Sequence, residues 1–282
     1  MHSIRALYQL LRVGNVLFAG IAVLVGGGLA THWQALPSAL IWGAIAAATI
    51  AAGANAANDV YDLPSDRINR PQRPLPSGAL TVRTAVAIAC LLSIAGIACG
   101  AFITPLWRFV PFAVALWLWQ YNRDWKRRPW LGNIAVAICG AITPLWGAAL
   151  AGDTAAATMP ALLAGIAFFA REVAKDVEDA AGDVAAGFRT TAVACRKKTV
   201  RLIVQLTVTA LLLIVILLFF LPRFRNITFI VMNMAAAIVV LRALSYSITI
   251  SDEPAAWRKL GDWLKRAMAA GLLAFAVGAV GL

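Results

Sequence analysis

Residues 38–66 read SALIWGAIAAATIAAGANAANDVYDLPSD, an apolar run that passes without a break into a cluster of acidic residues. The run over 38–58 is long enough to cross a hydrocarbon core of about 30 Å as an α-helix. Carboxylates beside a membrane-spanning segment are energetically costly and usually mark a functional site. This stretch therefore predicts a membrane helix, and it predicts a functional site where that helix ends.

Apolar segments of similar length recur along the whole chain, which is 61% hydrophobic and has a mean hydropathy of +0.79. A polypeptide crosses a bilayer only as helices or as a closed barrel, and nothing in this sequence resembles barrel strands. We therefore predict an all-α polytopic membrane protein, in which nine transmembrane helices form a bundle around a central cavity and residues 1–282 form a single domain. The predicted spans are 13–31, 38–58, 82–104, 106–121, 131–150, 156–175, 199–221, 226–248 and 263–281.

The net charge of +12 is carried by short loops between the apolar segments, a pattern that sets orientation in a bilayer. If the N-terminus is inside, the outside loops contain only Arg108, Arg223 and Arg225, and every other Lys and Arg lies inside. We therefore predict a multi-pass protein of the cell membrane with a cytoplasmic N-terminus, a cytoplasmic active site and an outside C-terminus. The same distribution argues against nucleic acid as a partner.

The first acidic cluster contains Asn58, Asp59, Asp62 and Asp66, at separations of three and four residues. On a helix this spacing places several oxygen atoms on one side. Pro64 is expected to end or bend that helix, which would leave Asp66 on a loop. Carboxylate and amide oxygens suit Mg²⁺, which takes few protein ligands and completes its coordination with water and substrate phosphate.

The second acidic cluster contains Asp176, Asp179 and Asp183, again at separations of three and four residues. Glu178 points elsewhere on an ideal helix and is free to contact a basic residue. The clusters follow the second and sixth spans, so both are predicted on the cytoplasmic face. Their recurrence indicates either a weak internal duplication or a chance repetition of charged helix ends. Brought together, they would form a cage for a divalent cation and its phosphate ligand.

Basic residues lie close to both clusters in the sequence. Arginine forks bind phosphate oxygens in a bidentate manner, so acids, metal and arginines together favour a diphosphate over a free metal ion. Orientation in the membrane alone would also place basic residues here, and that alternative stays open. The residues predicted to hold diphosphate are Arg67, Arg73, Lys126, Arg171 and Lys175.

An allylic diphosphate suits an anionic metal cage at the mouth of an apolar helical bundle. Diphosphate becomes a good leaving group once metal and arginine neutralise its charge, and a nucleophile then captures the allylic cation. The bundle would supply a dry groove for the isoprenoid tail. Tyr121 is predicted to face the allylic carbon, where its ring can stabilise a cation.

These motifs resemble those of the UbiA superfamily of membrane prenyltransferases. Its N-D-x-x-D-x-x-x-D motif is matched at 58–66, and its D-x-x-D-x-x-x-D motif is matched at 176–183. The string RPLPSG at 73–78 and the loop 121–126 are also similar to family features. The resemblance implies nine transmembrane helices, a Mg²⁺-diphosphate site and a lipid-facing portal.

The predicted roles divide the two motifs between metal binding and catalysis. The predicted metal ligands are Asn58, Asp62, Asp66, Asp176, Asp179 and Asp183. The predicted catalytic residues are Asp59, Asp62, Asp66, Asp179 and Tyr121.

Within the superfamily, residues 11–27 and 171–179 resemble the archaeal-type enzymes that make digeranylgeranylglyceryl phosphate. This implies transfer of geranylgeranyl from its diphosphate to the hydroxyl of a prenylated glycerol phosphate, whose phosphate Arg12 is then predicted to clamp. The expected partners are an isoprenoid diphosphate, this or another lipophilic acceptor, and membrane lipid. Two alternatives stay open: prenylation of an aromatic acceptor for quinone, haem or chlorophyll, and a transporter that uses intramembrane acids. Against a transporter, the acids lie at helix ends and do not extend across the bilayer.

Overall fold

A computed structural model of the protein describes residues 2–224 and 226–278, which form helices joined by loops, without a β-strand. Arg225 and the last residues of the ninth predicted span, 279–281, lie outside the described residues. The α-helices are α1 (His2–Leu11), α2 (Val13–Thr31), α3 (Ser38–Tyr61), α4 (Leu63–Asn69), α5 (Val82–Ala98), α6 (Val110–Arg123), α7 (Leu131–Leu150), α8 (Thr158–Ala185), α9 (Thr191–Ala194), α10 (Lys197–Leu217), α11 (Ile227–Ile248) and α12 (Pro254–Gly278).

Each predicted span overlaps one of these helices, and spans 13–31 and 131–150 coincide with α2 and α7. In the part of the chain that the structure describes, seven helices are long and apolar enough to cross a membrane: α2, α3, α5 with the turn that follows it, α7, α8, α10 and α11. The two other predicted spans form helices of a different character. Helix α6 has 14 residues, and α12 carries several charged residues in its first half.

Helix α8 is longer than the sequence analysis predicted. The sixth span was placed at 156–175, but α8 continues as one helix to Ala185 and therefore includes the whole second acidic motif. An uninterrupted helix keeps Asp176, Asp179 and Asp183 on a single rigid scaffold. The motif thus projects from the end of a long helix that is anchored in the apolar bundle.

The first acidic motif is divided between two helices. Helix α3 ends at Tyr61, Asp62 caps it, and α4 begins at Leu63. Pro64 does interrupt α3, as predicted, but it then occupies the first turn of α4, where its missing N–H is no loss. Asp66 consequently lies on α4, and the expectation that it lies on a loop was wrong.

Helices α2 and α7 approach one another closely because glycines lie at their contact. A side chain at Gly26 would meet the carbonyl oxygen of Pro144 at 2.0 Å, and one at Gly147 would meet that of Val23 at 1.9 Å. Small residues allow such backbone contact between membrane helices, where packing takes the place of a hydrophobic driving force. Helix α3 also packs against α2. On the other side of this pair, α8 packs against α7, and α12 packs against α8.

Candidate active site

A cavity of about 880 Å³ lies between the helices and receives residues from α2, α3, α6, α7, α8, α10, α11 and α12. Most of its wall is apolar, with aromatic rings such as Phe18, Trp117 and Phe168. Its polar lining comes from the beginnings of α2 and α12, the ends of α3 and α6, and the C-terminal half of α8. The cavity therefore combines an apolar interior with a charged region that includes Asn58 of the first motif and Glu178 beside the acids of the second.

The outer acids of the first motif are bound by arginines. Arg12 donates to Asp59 at 2.5 Å, and Arg73 contacts Asp59 at 3.3 Å and Asp66 at 2.6 Å. Both carboxylates are almost completely buried, at 2% exposure. Buried carboxylates are tolerated when cations and hydrogen bonds compensate for lost hydration. Arg73 therefore joins the end of α3 to α4 through the two acids.

Asp62 lies between these two acids in the sequence but contacts a different cation, Lys126 in the loop after α6. Burial opposes the charged form of Asp62, yet Lys126, Lys175 and Arg12 together outweigh it and lower the pKa of Asp62 below its ordinary value. Asn58 donates to Asn122 at 3.0 Å, and Asn122 donates to the carbonyl of Ala54 at 3.0 Å. The first motif is therefore fixed to the end of α6.

Two acids of the second motif accept hydrogen bonds mainly from neutral groups. Asp176 accepts from the side chain of Asn133 at 3.0 Å, and Asp183 accepts from Ser65 at 2.9 Å and from Thr190 at 3.2 Å. These donors orient the carboxylates without neutralising their charge. The Ser65 contact also joins the second motif directly to α4.

The short helix α4 joins the two motifs through contacts with α8. Asn69 donates to the carbonyl of Asp179 at 2.8 Å and accepts from the backbone N–H of Gly182 at 3.0 Å. Arg70 contacts Asp179 at 2.6 Å and Glu178 at 2.7 Å. The structure therefore brings the two motifs together, and it gives Glu178 the basic partner that its helical position predicted.

The sequence profile of the UbiA prenyltransferase family matches residues 19–278. The chain belongs to the UbiA prenyltransferase family. Digeranylgeranylglyceryl phosphate synthase from Natronomonas pharaonis is 32% identical over 293 residues, which cover 99% of this chain and 98% of that protein. Further curated relatives carry the same name. Together with the long apolar helices, family membership identifies a multi-pass membrane protein.

Solved structures of UbiA-type proteins share the fold. A structure described as digeranylgeranylglyceryl phosphate synthase in membranes superposes with a TM-score of 0.72, at 24% identity and full coverage of both chains. A UbiA homologue from Archaeoglobus fulgidus, bound to GPP and Mg²⁺, gives a TM-score of 0.60 at 16% identity, and covers 96% of this chain and 99% of that one. At these identities the similarity shows the UbiA fold.

Arg67 does not reach this UbiA site. Its side chain is exposed and, among the described residues, forms no hydrogen bond or ion pair with either motif, so the prediction that it holds diphosphate has no support in the geometry. Helical periodicity explains the difference, because residues four apart share a face and adjacent residues do not. Asp66 lies on α4 and Arg70, four residues later, caps the end of that helix, so the two share a face. Arg67 directly follows Asp66 and points to another face. Arg70, which the sequence analysis did not select, is the arginine that faces α8.

The other predicted substrate-binding residues line the cavity or contact its acids. Lys175 donates to Glu172 at 3.2 Å, Arg171 lines the wall, and Tyr121 is buried there at 8% exposure. The observed contacts of Arg12 differ from those predicted for a clamp on an acceptor phosphate. Its guanidinium donates to Asn58 and Asp59 of the first motif.

Several polar residues of the site were missed in the sequence analysis. All but Arg70 carry an amide or hydroxyl group, and the role of each depends on a partner distant in sequence. The available signal was the rarity of Asn within or beside apolar spans, since such groups need internal partners in a membrane. The missed residues are Ser65, Asn69, Arg70, Asn122, Asn133, Thr190 and Thr191.

The donor set of the two motifs suits a hard divalent cation, because it consists of carboxylate and amide oxygens. Among the described residues, however, no three acidic, His or Cys side chains converge closely enough to hold a metal, and several of the carboxylates are paired with cations. One oxygen is uncommitted: Oε2 of Glu172 is buried without a hydrogen-bond partner in the described chain. The residues thus fit a metal, provided that some ion pairs open when it binds.

Proposed function

We propose that this UbiA family member transfers a geranylgeranyl group from its diphosphate to the free hydroxyl of geranylgeranylglyceryl phosphate, for membrane ether-lipid biosynthesis, with Mg²⁺ as cofactor. The observation that carries the proposal is the network of paired acids and bases beside an apolar cavity. The name shared by the curated relatives supports this acceptor. The diphosphate and Mg²⁺ bound to the Archaeoglobus fulgidus homologue support the donor and the metal.

The ion pairs of the site favour simultaneous binding of metal and diphosphate. Asp62 with Lys126, and Asp66 with Arg73, already balance negative and positive charge. A metal ion would take the carboxylates, and the diphosphate would take the released cations. Each buried charge then keeps a partner throughout the exchange, which avoids the cost of a bare buried ion. Either ligand alone would leave one member of each pair without compensation.

The chemistry is an alkylation at oxygen. The bond between C1 of the prenyl chain and the diphosphate oxygen breaks, the electron pair leaves with the diphosphate, and the acceptor hydroxyl forms a new C–O bond and gives its proton to the departing diphosphate. Bound Mg²⁺ would neutralise charge on the leaving group. Arg73 and Lys126 would share that charge, the apolar wall would exclude water, and the ring of Tyr121 would face the developing cation.

The membrane arrangement follows from the same proposal. We place all nine predicted spans across the bilayer around the cavity, as one domain, with α6 and the second half of α12 as the two additional crossings. The excess of basic residues in the loops on the motif side supports a cytoplasmic N-terminus and active site. The donor tail and the acceptor would then enter from the membrane lipid.

An acceptor screen tests the proposed function. Purified protein with Mg²⁺ and radiolabelled geranylgeranyl diphosphate is offered geranylgeranylglyceryl phosphate, 4-hydroxybenzoate and other aromatic acids in separate reactions. We expect a labelled diether only with the glycerol phosphate, and no product when the metal is chelated. Product exclusively from an aromatic acid would overturn the proposed acceptor but retain prenyl transfer. Flux across vesicles that depends on the aspartates, without product, would indicate a transporter.

A further inference from the structure

Two basic residues of the cavity differ from all the others. Among the described residues that line it, five hold carboxylates: Arg12, Arg70, Arg73, Lys175 and Arg258. The other two, Arg171 on α8 and Lys265 on α12, have no hydrogen bond or ion pair to any described residue. The cavity therefore contains two cations whose charge the described protein does not balance by direct contact.

These two cations lie on helices that pack against one another, α8 and α12, and they line the same cavity. The helices pack closely, with Ala170 and Val173 in the same core as Leu264 and Ala267. Arg171 is the charged group that acts most strongly on Lys265. Weaker influences come from Asp262 on α12, Arg12 before α2 and Glu178 on α8.

Repulsion between like charges is unfavourable unless an anion lies between them, so this arrangement is suited to binding one. Arg171 is half-buried and Lys265 is exposed, and both line the cavity, so a ligand can reach both side chains. A guanidinium offers two parallel donors to phosphate oxygens, and an ammonium adds a compact charge. The pair therefore has the chemistry of a phosphate site.

The pair is separate from the acids that would bind the metal ion of the donor diphosphate. Arg171 precedes Asp176 by five residues on α8, a rise of about 7.5 Å along the helix. It lies on the side of the motif nearer the apolar part of the bundle. A phosphate held there would be close to the reacting diphosphate without sharing its ligands.

We propose that Arg171 and Lys265 bind the phosphate of the acceptor, and so select a phosphorylated glycerol lipid over an uncharged alcohol. This inference rests on the proposed function, because it assigns the acceptor's phosphate to a definite place. It replaces two predictions from the sequence. Arg171 moves from the donor diphosphate to the acceptor, and the acceptor clamp moves from Arg12 to the contact between α8 and α12.

The test combines a change in the protein with a change in the acceptor. Arg171→Gln and Lys265→Gln are assayed with geranylgeranylglyceryl phosphate and with the corresponding alcohol that lacks the phosphate. Each variant should raise the acceptor KM by about tenfold for the phosphorylated substrate, the usual order for one charged hydrogen bond. Neither should change the KM for the alcohol or for geranylgeranyl diphosphate by more than about twofold.

Two further variants control the comparison. Lys259→Gln removes a lysine of the same helix that is exposed and does not line the cavity, and it should leave all three constants unchanged. Lys265→Arg keeps the charge and should retain affinity for the phosphorylated acceptor. An unchanged KM for the donor in the Gln variants also demonstrates that they are folded.

Equal losses with the phosphorylated and the unphosphorylated acceptor would overturn the inference, because the phosphate would then not be the group that is recognised. A rise in the donor KM alone would also overturn it and would return Arg171 to the diphosphate. In both cases the unmodified protein still makes the diether, so the proposed function stands. If the unmodified protein makes no product from any glycerol phosphate, the proposed function fails first.

Discussion

The two acidic motifs have the same spacing but different partners. In the first motif, Asp59, Asp62 and Asp66 all contact Arg or Lys side chains. In the second, only Asp179 contacts an arginine, and Asp176 and Asp183 accept from amide and hydroxyl groups. Cations neutralise a carboxylate and must be displaced before a metal can bind it, whereas neutral donors only orient it. We infer that the first motif exchanges partners on ligand binding and that the second provides fixed ligands through Asp176 and Asp183.

Removing one central acid from either motif should have the largest effect. Asp62→Ala and Asp179→Ala should each lower kcat/KM by about 10³-fold, since each removes charge that helps to hold the metal and the leaving group. The measurement is prenyl transfer by purified protein after its insertion into membranes has been verified. Asp252→Ala is the matched control, because Asp252 is an exposed acid paired with Arg201. Full activity in either motif variant would refute the metal site.

Removing a cation from the first motif should reduce the free energy of unfolding. Arg73→Gln leaves Asp59 and Asp66 without a shared partner, at a cost of about 3 kcal/mol in the free energy of unfolding. Thermal unfolding in detergent measures the loss, which saturating Mg²⁺ and diphosphate should partly restore. Arg128→Gln, which opens an exposed pair with Asp124, should cost less than about 1 kcal/mol. Equal losses of unfolding free energy in the two variants, with no restoration by Mg²⁺ and diphosphate, would contradict the proposal that ligands replace Arg73 as the partner of these acids.

Removing a neutral donor from the second motif should mainly affect the metal. Asn133→Ala leaves Asp176 less well oriented and should raise the Mg²⁺ concentration for half-maximal activity by about tenfold. Asn233→Ala is the matched control, since Asn233 is a buried amide that donates to the carbonyl of Val215, away from the motifs. Both variants should lose about 1–2 kcal/mol of stability. An unchanged Mg²⁺ requirement in Asn133→Ala would remove the distinction between the motifs.

The smallest effect is expected at Arg67, and it sharpens the description of α4. Arg67→Gln should change kcat/KM by less than about twofold, because the exposed side chain contacts neither motif. Arg70→Gln should lower kcat/KM much more than Arg67→Gln does, since Arg70 contacts acids of both motifs. The same transfer assay compares the two variants. A larger loss at Arg67 would mean that α4 presents its other face to the substrate.

Much of the fold could be predicted because the bilayer imposes a simple length requirement on each span. Helices α2 and α7 begin and end where hydropathy changes. The end of α8 could not be found in this way, since a helix need not stop where the chain leaves an apolar environment. Its polar extension is stabilised by contacts with α4, and hydropathy does not report such contacts.

The acids of the site were predictable and many of their partners were not. Spacing alone indicated that Asp62 and Asp179 belong to one kind of site. It could not indicate that Arg70 faces α8 while Arg67 faces solvent, because this depends on where α4 begins. The pairing of Asn133 with Asp176 likewise depends on how α7 packs against α8.

Asn69 and Gly182 act together as a spacer of fixed length between the two motifs. Asn69 uses both ends of its amide on the backbone of α8, and a methyl group at position 182 would lie 2.4 Å from its nitrogen. Even alanine would force α4 away from α8. In the proposed metal site, the distance across which a cation would be shared is therefore set by a residue without a side chain. Discrimination between ions of different radius would be tuned most directly at position 182.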